Sequence, residues 1–139
     1  MRIETIKLYF EKQANKTEVI DITRTIEHLV IETRIDSGTA IIYTDSPSAA
    51  IAVIEYEEGV VSDILQSLDI LATKTINGKD RISQKTKRPD IRPALIGSSV
   101  AVPFKDNRLM IGKWQNIVLM DFSEKIKRNR VMLQILEVR

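Results

Sequence analysis

Short apolar runs separated by polar turns fill most of this 139-residue chain, and only two stretches have a helical period. From residue 6 to Glu11, apolar and polar residues alternate with period two, which is typical of a half-buried strand. Further strands are predicted at 18–20, 40–43, 49–54, 100–104, 109–111, 117–122 and 131–138, and residues 123–129 are predicted to form a polar, basic turn before the last strand. The run at 117–122 is apolar on both faces, as a central strand would be. Because most of these strands are joined by short turns, we expect mostly antiparallel pairing.

Two amphipathic helices are predicted between the strands. The apolar stripe of the first consists of Ile22, Ile26, Leu29, Val30 and Thr33. Its start can be capped by Asp21 or Thr23, and the polar segment 36–38 is expected to end it. The second helix has its stripe between Val60 and Leu71 and is entered through two glutamates. The chain is therefore predicted to form a single α+β domain over residues 1–139, with mostly antiparallel β-sheets packed together with two main helices.

The absence of cysteine and the presence of a single histidine restrict the chemistry that this chain can perform. The chain has no cysteine, which excludes disulfides, thiolate metal sites and a cysteine nucleophile. Its only histidine is His28, which lies about 200° around the first helix from Ile26 and is expected to face solvent. The net charge is only +2, and no apolar run approaches the roughly 18 residues of a membrane span. We therefore expect a cytoplasmic protein with no membrane contact, no metal site and no cofactor.

The segment from Lys74 to Arg92 is the one strongly charged region, with seven basic and two acidic residues. It has little periodicity and is predicted to be a long loop, followed by a short helical turn at 91–96 that ends at Gly97. Its lysines and arginines suit a phosphate group, although a solvated loop without a ligand is an equal alternative. Nucleic-acid binding is disfavoured, because no aromatic residue lies among these charges to stack on bases.

Four serines suggest nucleophilic or anion-binding chemistry: Ser46, Ser48, Ser98 and Ser99. A serine nucleophile needs a base within hydrogen-bond distance, and the sequence does not show which lysine lies near. The sequence Gly97-Ser98-Ser99 can also turn backbone N–H groups toward an anion.

Two carboxylates are candidates for acid–base or metal chemistry. Glu55 ends an apolar strand, and with Asp90 it is a candidate general base or metal ligand. The alternative is that Glu55 belongs to a group of carboxylates at the entrance of the second helix. The only tryptophan, Trp114, is a candidate pocket wall.

Taken in order, several segments resemble one family. The stretches Leu95 to Val100, Pro103, Asn107 to Leu109 and Gly112 to Ile117 are similar to the YjbQ-like family pattern "LLGSS…P…GRL…GTWQGI". The segment from Ser48 to Glu55 resembles its "HTSAAITINE", and the last strand resembles its "RRVVVQV". The resemblance implies an α+β fold and a homotrimer with pockets near subunit contacts. It also implies a link to secondary thiamine-phosphate synthase activity.

The departures from the family pattern concern its histidines. Ser46 stands where the pattern has the histidine of "HTSAA", and Asp90 stands where it has another. The loop position of a further histidine falls within 81–87, where this chain has none. Lys113 replaces the threonine of "GTWQG". By the same comparison, the chain has Arg92 where the family pattern has a lysine. It keeps the residues of the pattern at Glu55, Ser98, Ser99, Trp114 and Gln115.

We therefore expect a catalytically degenerate YjbQ-like protein that retains a pocket for an anionic or phosphorylated small molecule, because histidine is the side chain suited to proton transfer near neutrality. Its candidate residues are Ser46, Glu55, Asp90, Arg92, Ser98, Ser99, Lys113, Trp114 and Gln115. Three alternatives stay open. The chain is an active thiamine-phosphate-synthase-like enzyme using Glu55 and Asp90, a structural or partner-binding trimer subunit, or a nucleic-acid binder acting through the basic loop.

Overall fold

A computed structural model describes residues 1–73 and 90–138 and shows eight strands and three helices in them. The strands are β1 (Ile3–Glu11), β2 (Glu18–Asp21), β3 (Gly38–Thr44), β4 (Ala49–Glu55), β5 (Ser99–Lys105), β6 (Arg108–Leu109), β7 (Gln115–Asp121) and β8 (Arg128–Glu137). The helices are α1 (Thr23–Thr33), α2 (Glu58–Thr73) and α3 (Arg92–Ile96). Both main helices and the predicted strands are confirmed, except that the strand predicted at 109–111 is reduced to the two residues of β6. The basic stretch 74–89 lies outside the described residues.

The strands form two antiparallel sheets. The larger has the order β1-β8-β3-β5-β6, and the smaller has the order β2-β7-β4. Strand β7 is central in the smaller sheet, and its residues from Ile117 to Asp121 are buried, which confirms the prediction from its two apolar faces. The predicted α+β class with mostly antiparallel sheets is therefore confirmed.

Two apolar clusters hold the layers together. The larger lies between the sheets and includes α1, with Ile26, Ile42, Leu119 and Leu133 among its fully buried side chains. The smaller joins the other residues of β7 to α2, through contacts that include Met120 and Leu68. Each fully buried side chain of this size contributes about 1.5–3 kcal/mol relative to an exposed one. The three-stranded sheet is thus covered on both faces.

The start of α1 is fixed by an aspartate just before the helix. Asp21 Oδ1 accepts hydrogen bonds from the Thr23 backbone N–H at 3.0 Å and from Thr23 Oγ1 at 2.6 Å. The N-cap residue itself is Ile22, which has no side-chain capping bond. Of the two predicted capping residues, Asp21 therefore satisfies a helical N–H, and Thr23 is already the first helical residue.

The end of α1 differs from the sequence expectation. The helix stops at Thr33, because Arg34 adopts the left-handed conformation (φ 60°) and donates its backbone N–H to Ile31 O. The predicted terminator, Gly38, instead begins β3, where a Cβ would lie 1.9 Å from the Leu136 carbonyl oxygen. Only glycine fits this close approach of two strands.

Strand β8 begins three residues earlier than predicted. The ladder extends back to Arg128, which pairs with Glu11, and the next residue, Asn129, is 1% exposed. The sequence places this stretch in a polar turn, because its residues have no apolar alternation. Because β8 begins earlier, Asn129 lies in the interior of the sheet, close to the site.

Candidate functional site

The sequence-predicted site residues lie at opposite ends of the paired strands β4 and β7. At one end Ala49 pairs with Asp121, and at the other Glu55 pairs with Gln115. With a rise of about 3.3 Å per residue, the seven-residue strands hold these ends about 20 Å apart. We name the two groups by a characteristic residue. The serine end comprises Ser46, Ser48, Asp121, Lys127 and Asn129. The tryptophan end comprises Glu55, Lys113, Trp114 and Gln115.

At the serine end, a half-buried lysine is held by two hydroxyl groups. Lys127 Nζ donates to Ser46 Oγ at 3.0 Å and to Ser48 Oγ at 2.5 Å. The two serine oxygens are themselves 3.3 Å apart. Within residues 1–73 and 90–138, Lys127 forms no ion pair and its third N–H has no acceptor. No described carboxylate therefore pairs directly with the ammonium, and the nearest acidic group in this hydrogen-bonded chain, Asp121, is reached through the Ser48 hydroxyl.

A buried carboxylate lies behind the two serines. Asp121 is fully buried and accepts three hydrogen bonds, from Ser48 Oγ at 3.1 Å, from the Ser123 backbone N–H at 2.8 Å and from Asn129 Nδ2 at 2.7 Å. Ser48 thus donates to a carboxylate while it accepts from an ammonium. This fixes the direction of the Ser48 hydroxyl, so the Ser46 hydroxyl donates to Ser48 Oγ and the third N–H of Lys127 is left to contact a ligand.

Asp90 and Arg92 form a separate ion pair beside α3. Arg92 donates to Asp90 through Nε and through Nη2 (2.5 Å to Oδ2), and its Nη1 donates to Asp69 Oδ1 at 2.9 Å. The guanidinium also lies 4.9 Å from the centre of the Phe122 ring. Burial by itself lowers the pKa of Arg92, but the hydrogen bond and charge of Asp90, together with those of Asp69, raise it above its usual value. Asp90 and Arg92, which the sequence analysis predicts as site residues, therefore form an ion pair with each other.

Arg92 also lines a surface cavity of about 390 Å³, whose wall includes Lys16 and Phe122. Phe122 directly follows Asp121, so this cavity begins near the serine end. The predicted ligand-binding role of Arg92 stays a prediction, and two carboxylates already contact the guanidinium.

The serines that follow α3 contribute backbone rather than side-chain contacts. Ser98 O accepts the Thr44 backbone N–H at 3.0 Å, which places this loop beside the segment leading to Ser46. The side chains of Ser98 and Ser99 are exposed. Gly97 has φ 111°, a conformation that suits glycine, and it ends α3 as predicted. The loop therefore borders the serine end, and binding through its serines stays a prediction.

The tryptophan end is open to solvent. Trp114 is 69% exposed, and Lys113 Nζ lies 5.1 Å from the centre of its ring. Gln115 Oε1 accepts the Gly112 backbone N–H at 2.8 Å. Glu55 is exposed as well. The side chains at this end contact near neighbours in the sequence and leave the carboxylate of Glu55 in solvent.

A cavity of about 680 Å³ opens beside the tryptophan end, between α1 and the segment around β6. Lys113 and Gln115 line it, together with Asp21, Arg24 and Arg108. The side chains that line this cavity include both acidic and basic groups. The structure thus brings two of the predicted residues to a cavity, separated by the length of β7 from Ser46 and Arg92.

Sequence reasoning missed Lys127, Asp121 and Asn129. The first lies in a segment predicted as a polar turn, the second is the single charged residue at the end of an apolar strand, and the third lies just before the predicted start of the last strand. No local pattern links any of them to Ser48. By contrast, His28 is exposed on α1, as predicted from its angle to the apolar stripe.

In the described part of the chain, no group of three or more histidine, cysteine or acidic residues could hold a metal ion. No helix of residues 1–73 or 90–138 has both the length and the apolar character needed to cross a membrane.

Comparisons with known proteins give a consistent result. A family model described as "UPF0047 protein YjbQ-like" matches residues 6–138. A UPF0047 protein of Archaeoglobus fulgidus is 32% identical over 111 residues, covering 80% of this chain and 86% of its own. The UPF0047 protein YugU of Bacillus subtilis is 31% identical over 112 residues, covering 80% and 84%.

Solved structures show the same fold. A YbjQ-like protein of unknown function from Sulfolobus solfataricus superposes with a TM-score of 0.83 at 22% identity, covering 99% of both chains. A YjbQ/UPF0047 protein from Clostridium acetobutylicum has a TM-score of 0.80 at 25% identity, covering 94% of this chain and 99% of its own.

Proposed function

The chain belongs to the UPF0047 family of YjbQ-like proteins, and on this premise we propose that it binds a small anionic or phosphorylated molecule at its serine end. The observation that carries the proposal is the environment of Lys127. Its half-buried ammonium contacts two serine hydroxyls and, among the described residues, no carboxylate. A half-buried cation with an N–H that has no described acceptor is suited to a charge-assisted hydrogen bond with a phosphate oxygen.

We also propose that this chain has lost the proton-transfer chemistry that the family resemblance implies. Ser46 stands at the position of a family histidine, and a serine hydroxyl does not exchange protons near neutral pH. The other candidates are poorly placed to replace it. Asp90 is bonded to Arg92, and Glu55 is about 20 Å away at the other end of β4. The chain therefore binds its ligand without turning it over.

Calorimetric titration of the full-length protein with inorganic phosphate and with pyrophosphate tests the binding. We expect saturable binding that weakens as salt is raised, because the contact with Lys127 is partly screened. Changing Lys127 to Met should weaken it by about tenfold or more, since a hydrogen bond to a charged group contributes about 1.5–3 kcal/mol. Unchanged affinity in Lys127→Met would contradict the proposal.

A coupling assay tests the alternative that the chain is an active enzyme. Purified protein is incubated with a thiazole phosphate and a pyrimidine pyrophosphate, and formation of thiamine phosphate is measured. We expect no turnover above a protein-free blank. Turnover that disappears in Glu55→Ala would instead favour a thiamine-phosphate-synthase-like enzyme with Glu55 in its site.

We further propose that three copies of the chain associate through the outer face of the five-stranded sheet. This face presents the large side chains of Ile3, Tyr9 and Tyr43, each at least 40% exposed. Exposed aromatic residues of this kind are enriched at protein interfaces. The face also reaches the serine end, because Tyr9 pairs with Arg130, which contacts Asp45 just before Ser46.

Light scattering coupled to gel filtration measures the mass of the assembly. We expect three times the chain mass, and a shift toward one chain mass in the double variant Tyr9→Asp, Tyr43→Asp. A matched change of two exposed residues elsewhere, Ile31→Asp and Met110→Asp, should leave the mass unchanged. A wild-type protein of one chain mass at all concentrations would contradict the trimer.

A further inference from the structure

A groove lies between strand β2 and one flank of α2. Its volume is about 560 Å³, and its walls include the apolar side chains of Val19, Val61 and Leu65. The ring of Tyr56, which is 43% exposed, also lines it. Neither the serine end nor the tryptophan end contributes a described residue to this lining. The groove is therefore a separate apolar surface, of a size that suits a ligand or a short segment of another chain.

The charge of the groove has a single sign. Every charged side chain among the described residues that line it is acidic, and these residues are Glu18, Glu57, Glu58 and Asp69. Glu57 accepts backbone N–H groups at the start of α2, and Asp69 accepts from Arg92. Glu18 and Glu58 form no ion pair with a described residue. Because the chain as a whole has a net charge of +2, this local excess of carboxylates favours a cationic partner over nucleic acid.

Strand β2 also has an open edge beside the groove. It is the outer strand of the order β2-β7-β4. The Ile22 backbone N–H donates to Ile117 O at 2.9 Å, in the same register in which Val19 lies opposite Met120. Bonded and non-bonded pairs alternate along an antiparallel ladder, so the N–H and C=O groups of Val19 point away from β7. Tyr56 confirms this direction, because its hydroxyl donates to Val19 O at 3.2 Å.

We propose that this groove docks an extended basic segment of a partner protein, which adds to the open edge of β2 as a further strand. A main-chain carbonyl of the segment accepts the Val19 N–H, and one of its N–H groups replaces the Tyr56 hydroxyl at Val19 O. Its apolar side chains pack on Leu65, and its lysine or arginine side chains contact Glu18 and Glu58. Strand addition takes affinity from main-chain hydrogen bonds and specificity from alternate side chains.

Calorimetric titration of the full-length protein with a short acetylated peptide that alternates lysine and valine tests the charge preference. We expect saturable one-to-one binding that weakens as salt is raised, because the carboxylates at the groove are partly exposed. The same peptide with glutamate in place of lysine should show no binding. Equal affinity for the two peptides, or no binding of the lysine peptide, would overturn the proposal.

N-methylated versions of the lysine–valine peptide test the strand addition without any change to the protein. One version is methylated at the lysine nitrogens and the other at the valine nitrogens. Alternate N–H groups of a strand point to opposite edges, so only one version loses the N–H groups that face β2. We expect that version to bind about tenfold more weakly than the other. Equal affinities would show that the main chain is not recognised and would overturn the proposal.

Variants of the protein locate the contact. The double variant Glu18→Gln, Glu58→Gln removes both unpaired charges and keeps a side-chain acceptor for the Gln13 backbone N–H, and it should weaken binding of the lysine peptide about threefold or more. The matched double variant Glu27→Gln, Glu32→Gln on α1 should leave the affinity unchanged. Tyr56→Phe frees Val19 O and should not weaken binding. Equal losses in the two double variants would indicate unspecific attraction of charge and would overturn the proposal.

Discussion

The serine end and the tryptophan end lie at opposite ends of the same two strands, yet their side chains are organised differently. At the serine end, Asp121, Ser48 and Lys127 form one hydrogen-bonded chain that reaches from the interior to the surface. At the tryptophan end, Trp114 is largely exposed and Gln115 bonds to a neighbouring turn. Fixed, partly buried polar groups lose less freedom when a ligand binds, so the serine end is the better candidate for a binding site.

The largest loss of stability is predicted for a substitution of Asp121, the buried carboxylate of the serine end. Asp121→Ala removes three hydrogen bonds to a buried carboxylate and leaves the Asn129 amide without its acceptor. We expect the free energy of unfolding to fall by about 3 kcal/mol or more. Urea denaturation followed by circular dichroism measures it.

The matched change at the other end is Glu55→Ala, which removes an exposed carboxylate. Its effect on the free energy of unfolding should stay within about 0.5 kcal/mol. Equal decreases in the free energy of unfolding for Asp121→Ala and Glu55→Ala would show that the polar groups of the serine end are no better fixed than those of the tryptophan end.

The second prediction compares two lysines. Lys127→Met should reduce phosphate affinity by about tenfold or more, because it removes a charge-assisted bond. Lys113→Met removes a lysine at the tryptophan end and should change the affinity by less than about twofold, since a rim charge contributes little. Parallel calorimetric titrations of the two variants measure the ratio. A larger loss of phosphate affinity in Lys113→Met than in Lys127→Met would instead indicate that the binding site is at the tryptophan end.

The third prediction concerns the ion pair that borders the serine end. The hydrogen bond from Arg130 lowers the pKa of Asp45 and outweighs the opposing effect of burial, and the charge of Arg130 acts in the same direction. The ionised Asp45 therefore stabilises the fold above its ordinary pKa, and this contribution is lost as the pH falls through the lowered value.

In Arg130→Gln the pKa of Asp45 should rise toward its ordinary value. Titration of the Asp45 carboxyl carbon by NMR measures the change. Arg128→Gln, two residues away on β8 and paired with Glu11, is the control and should leave the midpoint of Asp45 where it is. An unchanged midpoint in Arg130→Gln would contradict the assignment.

The smallest effect is expected at the tryptophan. Trp114→Ala should change the free energy of unfolding by less than about 0.5 kcal/mol, because the side chain is 69% exposed. As the only tryptophan, Trp114 also reports on its own end of the sheet. Its fluorescence should be insensitive to phosphate, and a saturable change with phosphate would indicate binding near Lys113 instead.

The sequence predicts the elements of this fold well because their signals are local. The period-two run of β1 and the helical stripe of α1 are each contained in a dozen residues. The turn between β5 and β6 is also local, since Asp106 and Asn107 both have positive φ, as this hairpin requires. The end of α1 is less predictable, because Arg34 adopts its conformation without a glycine.

The site is less predictable because its contacts join distant parts of the chain. Lys127 reaches Ser48 only because the segment before β8 runs beside the loop between β3 and β4. The family resemblance groups Ser46 and Glu55 in one pocket, although the strand predicted at 49–54 already separates them by its length. The serine–lysine contact therefore required coordinates, whereas the expectation that Ser46 stands in place of a family histidine came from the resemblance alone.

The most direct test of the binding site is an NMR titration of isotopically labelled protein with inorganic phosphate. The backbone amide signals of Ser46, Ser48 and Ser123 and the indole N–H signal of Trp114 are followed in the same samples. The proposal predicts saturable shifts of the three amide signals and no shift of the indole signal. A saturable shift of the Trp114 indole signal with stationary signals at the serine end would contradict it.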